Sequence, residues 1–214
     1  MVRTDIREFV EREILPLYCD FDKAHGPDHA EKVIANSLEI AADYDVDMNM
    51  VYVIAAYHDI GLKFGRERHE KASAELLLAD ERLEKWFTAE ERQRMAQAAE
   101  DHRASNDYEP RSLYGKIVSE ADRDIEYLTI LVRTTHYGLV HFPDYDYEQH
   151  CVRVREHLVE KYAEGGYLKL WLRTEKNERK LRELREIIAS DEMYREVFAQ
   201  VYTQCIAGQY IALQ

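Results

Sequence analysis

Apolar residues recur at helical spacing along almost the whole of this chain, and little interrupts them. Only 8 Gly and 4 Pro stand among its 214 residues, so tight turns must be few. Ile6, Phe9, Val10, Ile14 and Leu17 make a first stripe, which Pro16 limits near its end. Ala30, Val33, Ile34, Ser37, Leu38 and Ala41 make a second, with Pro27 just ahead, where proline suits a helix start. Asp47 can cap a third helix from Met48 to about Ile60, and Gly61 can end it. A fourth runs from about Lys71 to Leu78, and Thr88 with Glu91 forms a capping box for a fifth that ends near His102. A sixth is expected over 112–131, with Leu113, Ile117, Val118, Ala121, Ile125 and Leu128 on one side. Residues 137–147 read as a surface loop, followed by helices near 148–163, 167–173, 175–189 and 192–206. The expected fold is an all-α globule. No linker, repeat or low-complexity tract marks a boundary, so 1–214 reads as one domain whose last 70 or so residues pack on the first part.

Charge and cysteine usage narrow the function. The 46% hydrophobic share supplies a core without disulfide staples, and Cys19, Cys151 and Cys205 are odd in number and scattered, as expected of a reducing compartment. The net charge of -13 argues against a nucleic-acid polymer as partner. It repels small anions too, so a phosphate site has to be built locally from cations or a metal. The charged N-terminal stretch MVRTDIREFVEREIL has no signal-like apolar region, and no apolar run approaches the ~18 residues of a membrane span. The expectation is a cytoplasmic protein without membrane attachment.

The chemistry sits in three segments. His58-Asp59 ends the apolar helix MVYVIAAYHDIG. Adjacent helical residues point ~100° apart, so both reach one ion only at a helix end or a local distortion. Alone the dipeptide is a weak signal, and its bland reading is a capping Asp beside a half-buried His. Upstream, however, stands HGPDHAEKV, and downstream KIVSEADRDIEYL. Taken in order over residues 20–130, these segments resemble the HD-domain superfamily of metal-dependent phosphohydrolases. That family pairs a lone His in an H-x-x-[RK]-V segment, matched by His29 to Val33, with a His-Asp before Gly, matched by His58 to Gly61. Its last Asp lies in a context like Val118 to Arg123. Some members carry Asp where Glu120 stands here, and the region after Asp122 follows no family pattern.

The resemblance implies a compact HD-domain helical core, about 20–130, with additional C-terminal helices over about 148–210. It implies His29, His58, Asp59 and Asp122 as metal ligands. The ion is divalent, Mn²⁺, Mg²⁺, Fe²⁺ or similar, one by default with two left open. His25 competes with His29, but it sits in a loop before Pro27 and reads better as a hydrogen-bonding neighbour. Some HD-type enzymes add two histidines and a second metal. His69 is only 11 residues after His58, short for that arrangement, and reads equally well as a solvated helix start. His102 follows Met95, Ala98 and Ala99 on one helix face and is expected at the site mouth.

Cations surround these positions in the sequence: Lys63, Arg66 and Arg68 after His58-Asp59, Arg103 after His102, and Lys116 and Arg123 about Asp122. Asp59, His102 and Lys63 are expected to serve catalysis, and Arg66, Arg103, Lys116 and Arg123 to hold substrate phosphate, although helix-surface ion pairs explain such cations as readily. The expected activity is phosphomonoester or phosphodiester hydrolysis of a small phosphorylated molecule. Only the resemblance points to a nucleotide. Two alternatives stay open. A di-iron oxygenase on the same scaffold would need His69 and His102 as ligands. A non-catalytic interaction protein or homodimer would use the tyrosines 137, 145, 147, 162, 167, 194, 202 and 210, whose bland reading is that they cover core. No nucleophile elbow, reactive-cysteine motif or phosphate-cradling loop is present.

Overall fold

Capping groups set the helix starts where the sequence offers them. Asp47 accepts a hydrogen bond from the Asn49 amide at 2.7 Å, and Thr88 and Glu91 form both arms of their capping box. Pro27 occupies the first turn of its helix, where its missing N–H leaves nothing unsatisfied. A computed structural model describes residues 1–22, 25–106, 108–123 and 125–208. Among the described residues there are ten α-helices and no strand. They are α1 (Thr4–Glu13), α2 (Pro27–Ala41), α3 (Met48–Tyr57), α4 (His69–Ala79), α5 (Ala89–Glu100), α6 (Leu113–Ala121), α7 (Tyr127–His141), α8 (Tyr147–Tyr162), α9 (Glu175–Ala189) and α10 (Asp191–Ile206). None is long and apolar enough to cross a membrane.

The helices gather into two compact units, Met1–Arg123 and Asp124–Gln214. In the first, α3 is buried on every side from Met50 to Tyr57, as its unbroken apolar sequence demands. Helices α2, α5 and α6 surround it, and α4 packs on α5 and on the 3-10 turn Ile60–Phe64. Burial of Val51, Val53 and Ile54 contributes roughly 1.5–3 kcal/mol per side chain, which fixes the helix whose end carries His58. The second unit has its own core, in which Leu131, Val154, Leu158, Leu184 and Phe198 are fully buried. Tyr194 is buried there with its hydroxyl donating to the Cys151 carbonyl at 2.6 Å. Tyr147 and Tyr202 pack their rings about Phe198, while Tyr210 lies outside the described residues.

Three sequence expectations need correction. The helix expected over 112–131 is two helices, α6 ending at Ala121 and α7 starting at Tyr127. The loop expected over 137–147 is helical to His141, so the connection to α8 is short and the second unit begins well before 148. Residues 167–173 form no helix; Leu168 and Leu172 are buried and Leu170 is half-buried, an alternation that suits extended backbone.

Candidate metal centre

The centre forms where α3 stops. The α-helix ends at Tyr57, His58 is its C-cap, and Asp59 has φ -112° and ψ 1° before the 3-10 turn begins. This break lets two adjacent side chains converge, with His58 Nε2 3.3 Å from Asp59 Oδ2. Tyr18 holds the break in place. Its buried hydroxyl donates to the Ala56 carbonyl at 3.0 Å and accepts from the Asp59 amide at 3.3 Å. Burial, then the charge of Asp59, pushes the Tyr18 pKa well above its usual value, so the hydroxyl keeps its proton.

Gly61 is needed for a close approach. It does not end the α-helix, as expected from the sequence. Its N–H donates to Ser73 Oγ at 2.9 Å. A Cβ at this position would collide with the His69 carbonyl oxygen and lie 2.5 Å from the Ser73 nitrogen. The start of α4 can therefore lie against the 3-10 turn, and its first residue, His69, reaches Asp59.

The Asp59 carboxylate stands between two sets of donors. Oδ2 faces His29 Nε2 at 3.5 Å and His58 Nε2 at 3.3 Å. Oδ1 faces His69 Nε2 and His102 Nε2, each at 3.3 Å. Within each set the imidazole nitrogens also face one another, His29 to His58 at 3.2 Å and His69 to His102 at 3.3 Å. Asp122 Oδ1 joins the first set, 3.2 Å from His29 Nε2 and 3.9 Å from His58 Nε2. Three of the imidazoles are oriented by backbone. Nδ1 of His58 donates to the Ala55 carbonyl, that of His69 to Arg66 and that of His102 to Ala99, at 2.7, 3.0 and 2.5 Å. This leaves each Nε2 free to turn a lone pair towards the carboxylate.

Such convergence calls for positive charge at two points, and it fits divalent metal ions. Without a metal, protons must supply that charge. Burial disfavours the charged form of His29, but hydrogen bonds to Asp122 and Asp59 outweigh it and raise its pKa to about 9. Burial likewise works against His102, yet its bond to Asp59 raises it. His69 moves the other way, lowered by burial and by the neighbouring His102. Burial alone would raise both carboxyls. Instead the imidazoles of His58, His102 and His29 hold Asp59 far below the usual carboxylate range, and His29 and His58 hold Asp122 at about 2.

The structure thus brings His29, His58, Asp59 and Asp122 together and adds His69 and His102. His69 is no solvated helix start: it belongs to the Oδ1 set. His102, expected at the mouth, is fully buried in that set. His25 packs its ring edge-on to His29 with centroids 5.7 Å apart. Its Nδ1 lies 2.9 Å from Asp22, which Arg66 also grips at 2.5 Å.

The other cations are engaged elsewhere. Lys63 is exposed, with its ammonium 4.9 Å above the Phe64 ring and no described bond to the cluster. Arg103 binds the buried Glu70 carboxylate at 3.0 Å and the Glu67 carbonyl at 2.9 Å. Glu70 in turn lies 3.6 Å from His69 Nδ1, so Arg103 is bound to a carboxylate beside the cluster. Lys116 pairs with Glu109. Arg123 is buried, its Nη2 3.4 Å from Ser119 Oγ and its Nε 3.7 Å from Glu120. The sequence reading also missed Tyr18, for which no local signal exists.

Comparison with known proteins agrees with this geometry. Residues 28–125, which hold all six clustered side chains, match the family model described as the HD domain. No curated protein and no solved structure matches the chain. Residues 28–125 of the chain therefore carry an HD domain.

Proposed function

We propose that this protein is a metal-dependent phosphohydrolase that cleaves a phosphate ester of a small molecule, a nucleotide being the class the family resemblance favours. The observation carrying the proposal is the Asp59 carboxylate, with one pair of imidazole nitrogens at each of its oxygens. In this reading His29, His58, Asp59 and Asp122 would hold one divalent ion, and Asp59 with His69 and His102 would hold a second. Four imidazoles favour a transition metal such as Mn²⁺ or Fe²⁺ over Mg²⁺, which prefers oxygen ligands. Divalent ions supply Lewis acidity and acidify water, the two things phosphate-ester hydrolysis requires.

The chain's own groups do the rest. Asp59 is almost fully enclosed, and both its oxygens are engaged by imidazoles. The Asp122 side chain is 23% exposed and is the carboxylate open to a water that must lose a proton. Arg66, two-thirds exposed beside His25 and paired with Asp22, is the cation we assign to a substrate phosphate. Lys63 and Lys116 have no part in this scheme. Protein reloaded with Mn²⁺ or Fe²⁺ should release phosphate from members of a panel of nucleotides and other phosphate esters. Absence of metal by elemental analysis, with no metal-stimulated release from any member, would overturn the proposal.

The placement of His69 and His102 also favours a second reading, a di-iron oxygenase, since that chemistry needs both as ligands. Two irons per chain with substrate-dependent oxygen uptake and no phosphate release would select it.

A further inference from the structure

The second unit contains a cavity of about 380 Å³, within the range of small-molecule sites. Leu168, Leu170 and Leu181 give it an apolar floor, and three arginines, Arg173, Arg182 and Arg185, line it with a single acid, Glu178. Glu178, Leu181, Arg182 and Arg185 lie at i, i+3, i+4 and i+7 on one face of α9. The non-helical segment 168–173 supplies the opposite wall.

The charges of this cavity are poorly balanced for a chain with 42 acidic and 29 basic residues. Elsewhere on α9, Arg179 lies 4.0 Å from Glu183 and Lys180 lies 3.1 Å from Glu126. At the cavity rim the exposed Arg173 reaches Glu178 only at 3.9 Å. Among the described residues Arg185 is held by backbone, its Nε donating to the Tyr162 carbonyl at 2.9 Å and its Nη2 to that of Ala163 at 3.5 Å. Arg182 forms no ion pair among the described residues. The exposed Arg173 and Arg182 and the half-buried Arg185 thus bring three positive charges to one apolar floor with a single acid among its lining residues. A bound oxyanion would answer this imbalance, since the guanidinium fork holds phosphate or carboxylate oxygens in pairs.

We propose that this cavity binds a small amphiphilic anion, its phosphate or carboxylate between Arg182 and Arg185 and its apolar body on Leu168, Leu170 and Leu181. The site shares no residue with the metal centre, and its existence does not depend on the hydrolase reading.

Calorimetric titration of the full chain with hexyl phosphate, hexanoate, inorganic phosphate and hexanol tests it. With a chelator present, so that the metal centre cannot take up the phosphate ester, one hexyl phosphate or hexanoate should bind per chain, equally to the wild type and to Asp59→Asn, and the tighter of the two identifies the head group. Arg182→Gln should weaken that binding about tenfold or more, the worth of a charge-assisted hydrogen bond. Arg185→Gln disturbs the end of α8, so Arg182, which forms no ion pair among the described residues, is the deciding position. Saturable binding by neither amphiphile, equal binding of hexanol, binding indifferent to Arg182→Gln, or binding lost in Asp59→Asn would each overturn the proposal.

Discussion

The two sides of the Asp59 carboxylate have different neighbours. On the Oδ2 side stand His29, His58 and a second carboxylate, Asp122, and both His29 and Asp122 are partly open to solvent. On the Oδ1 side stand His69 and His102 alone, the latter fully buried. The Oδ2 side offers four donors and one carboxylate of its own, Asp122, beside the shared Asp59. The Oδ1 side has three donors and shares its only negative charge. A tightly held ion is therefore expected at Oδ2 and a more weakly held, more exchangeable one at Oδ1.

Removing the shared group should abolish that difference. Asp59→Asn is expected to empty both sides and cut phosphate release by about 10³-fold or more, equivalent to some 4 kcal/mol of transition-state stabilisation. His102→Ala, by contrast, should leave the Oδ2 ion in place and lower bound metal from two equivalents to one. Elemental analysis of the two variants side by side checks this, and equal loss in both would remove the asymmetry.

A subtler lesion acts on one side only. Gly61→Ala drives a methyl group into the His69 carbonyl and the start of α4. Overpacking of this kind costs about 1–3 kcal/mol. The thermal midpoint should fall, and metal should be lost from the Oδ1 side first. Retention of two ions at wild-type affinity would show that α4 is not set by this contact.

Tyr18→Phe weakens the shared support. It strips the Ala56 carbonyl and the Asp59 amide of their common partner, at about 1–3 kcal/mol for buried groups left unsatisfied. Metal affinity should drop on both sides by about tenfold, the lower range for groups that orient ligands. A change confined to one side would argue against this role.

The smallest effect is on pH. In the metal-free chain the His29 pKa is raised from 6.5 to about 9. Its contribution to stability is fully present below pH 6.5 and is lost as pH rises through 9. An ion at Oδ2 must expel that proton, so its apparent affinity should climb between pH 6.5 and 9, with proton release measurable by calorimetry in two buffers. Uptake independent of pH across this window would take His29 out of the ligand set.

The same contrast explains what the sequence could reveal. The Oδ2 side was legible because His29 and Asp122 stand on helices with clear apolar faces and His58-Asp59 follows an apolar run. The Oδ1 side was not. The start of α4 reads as Lys71 in the sequence, two residues beyond His69, and a separation of 11 residues says nothing about a chain that doubles back at Gly61. Helical spacing continues from Ile117 through Ala121 and Ile125 to Leu128, so it hides the break at Asp122 that turns its carboxylate to His29. Among the cations, nearness in sequence stood in for nearness in space. Lys116 and Arg103 are in fact held by Glu109 and Glu70. The alternation of Leu168, Leu170 and Leu172 was the one signal present but misread, since a period of two belongs to extended backbone.

The central claim is that one carboxylate serves two ions. Anomalous diffraction from crystals grown with Mn²⁺ tests it most directly. Two peaks are predicted, one at Asp59 Oδ2 among His29, His58 and Asp122, the other at Oδ1 between His69 and His102, with the second fading first as Mn²⁺ is diluted. A single peak that does not touch Asp59, or no peak within the cluster, would contradict the account.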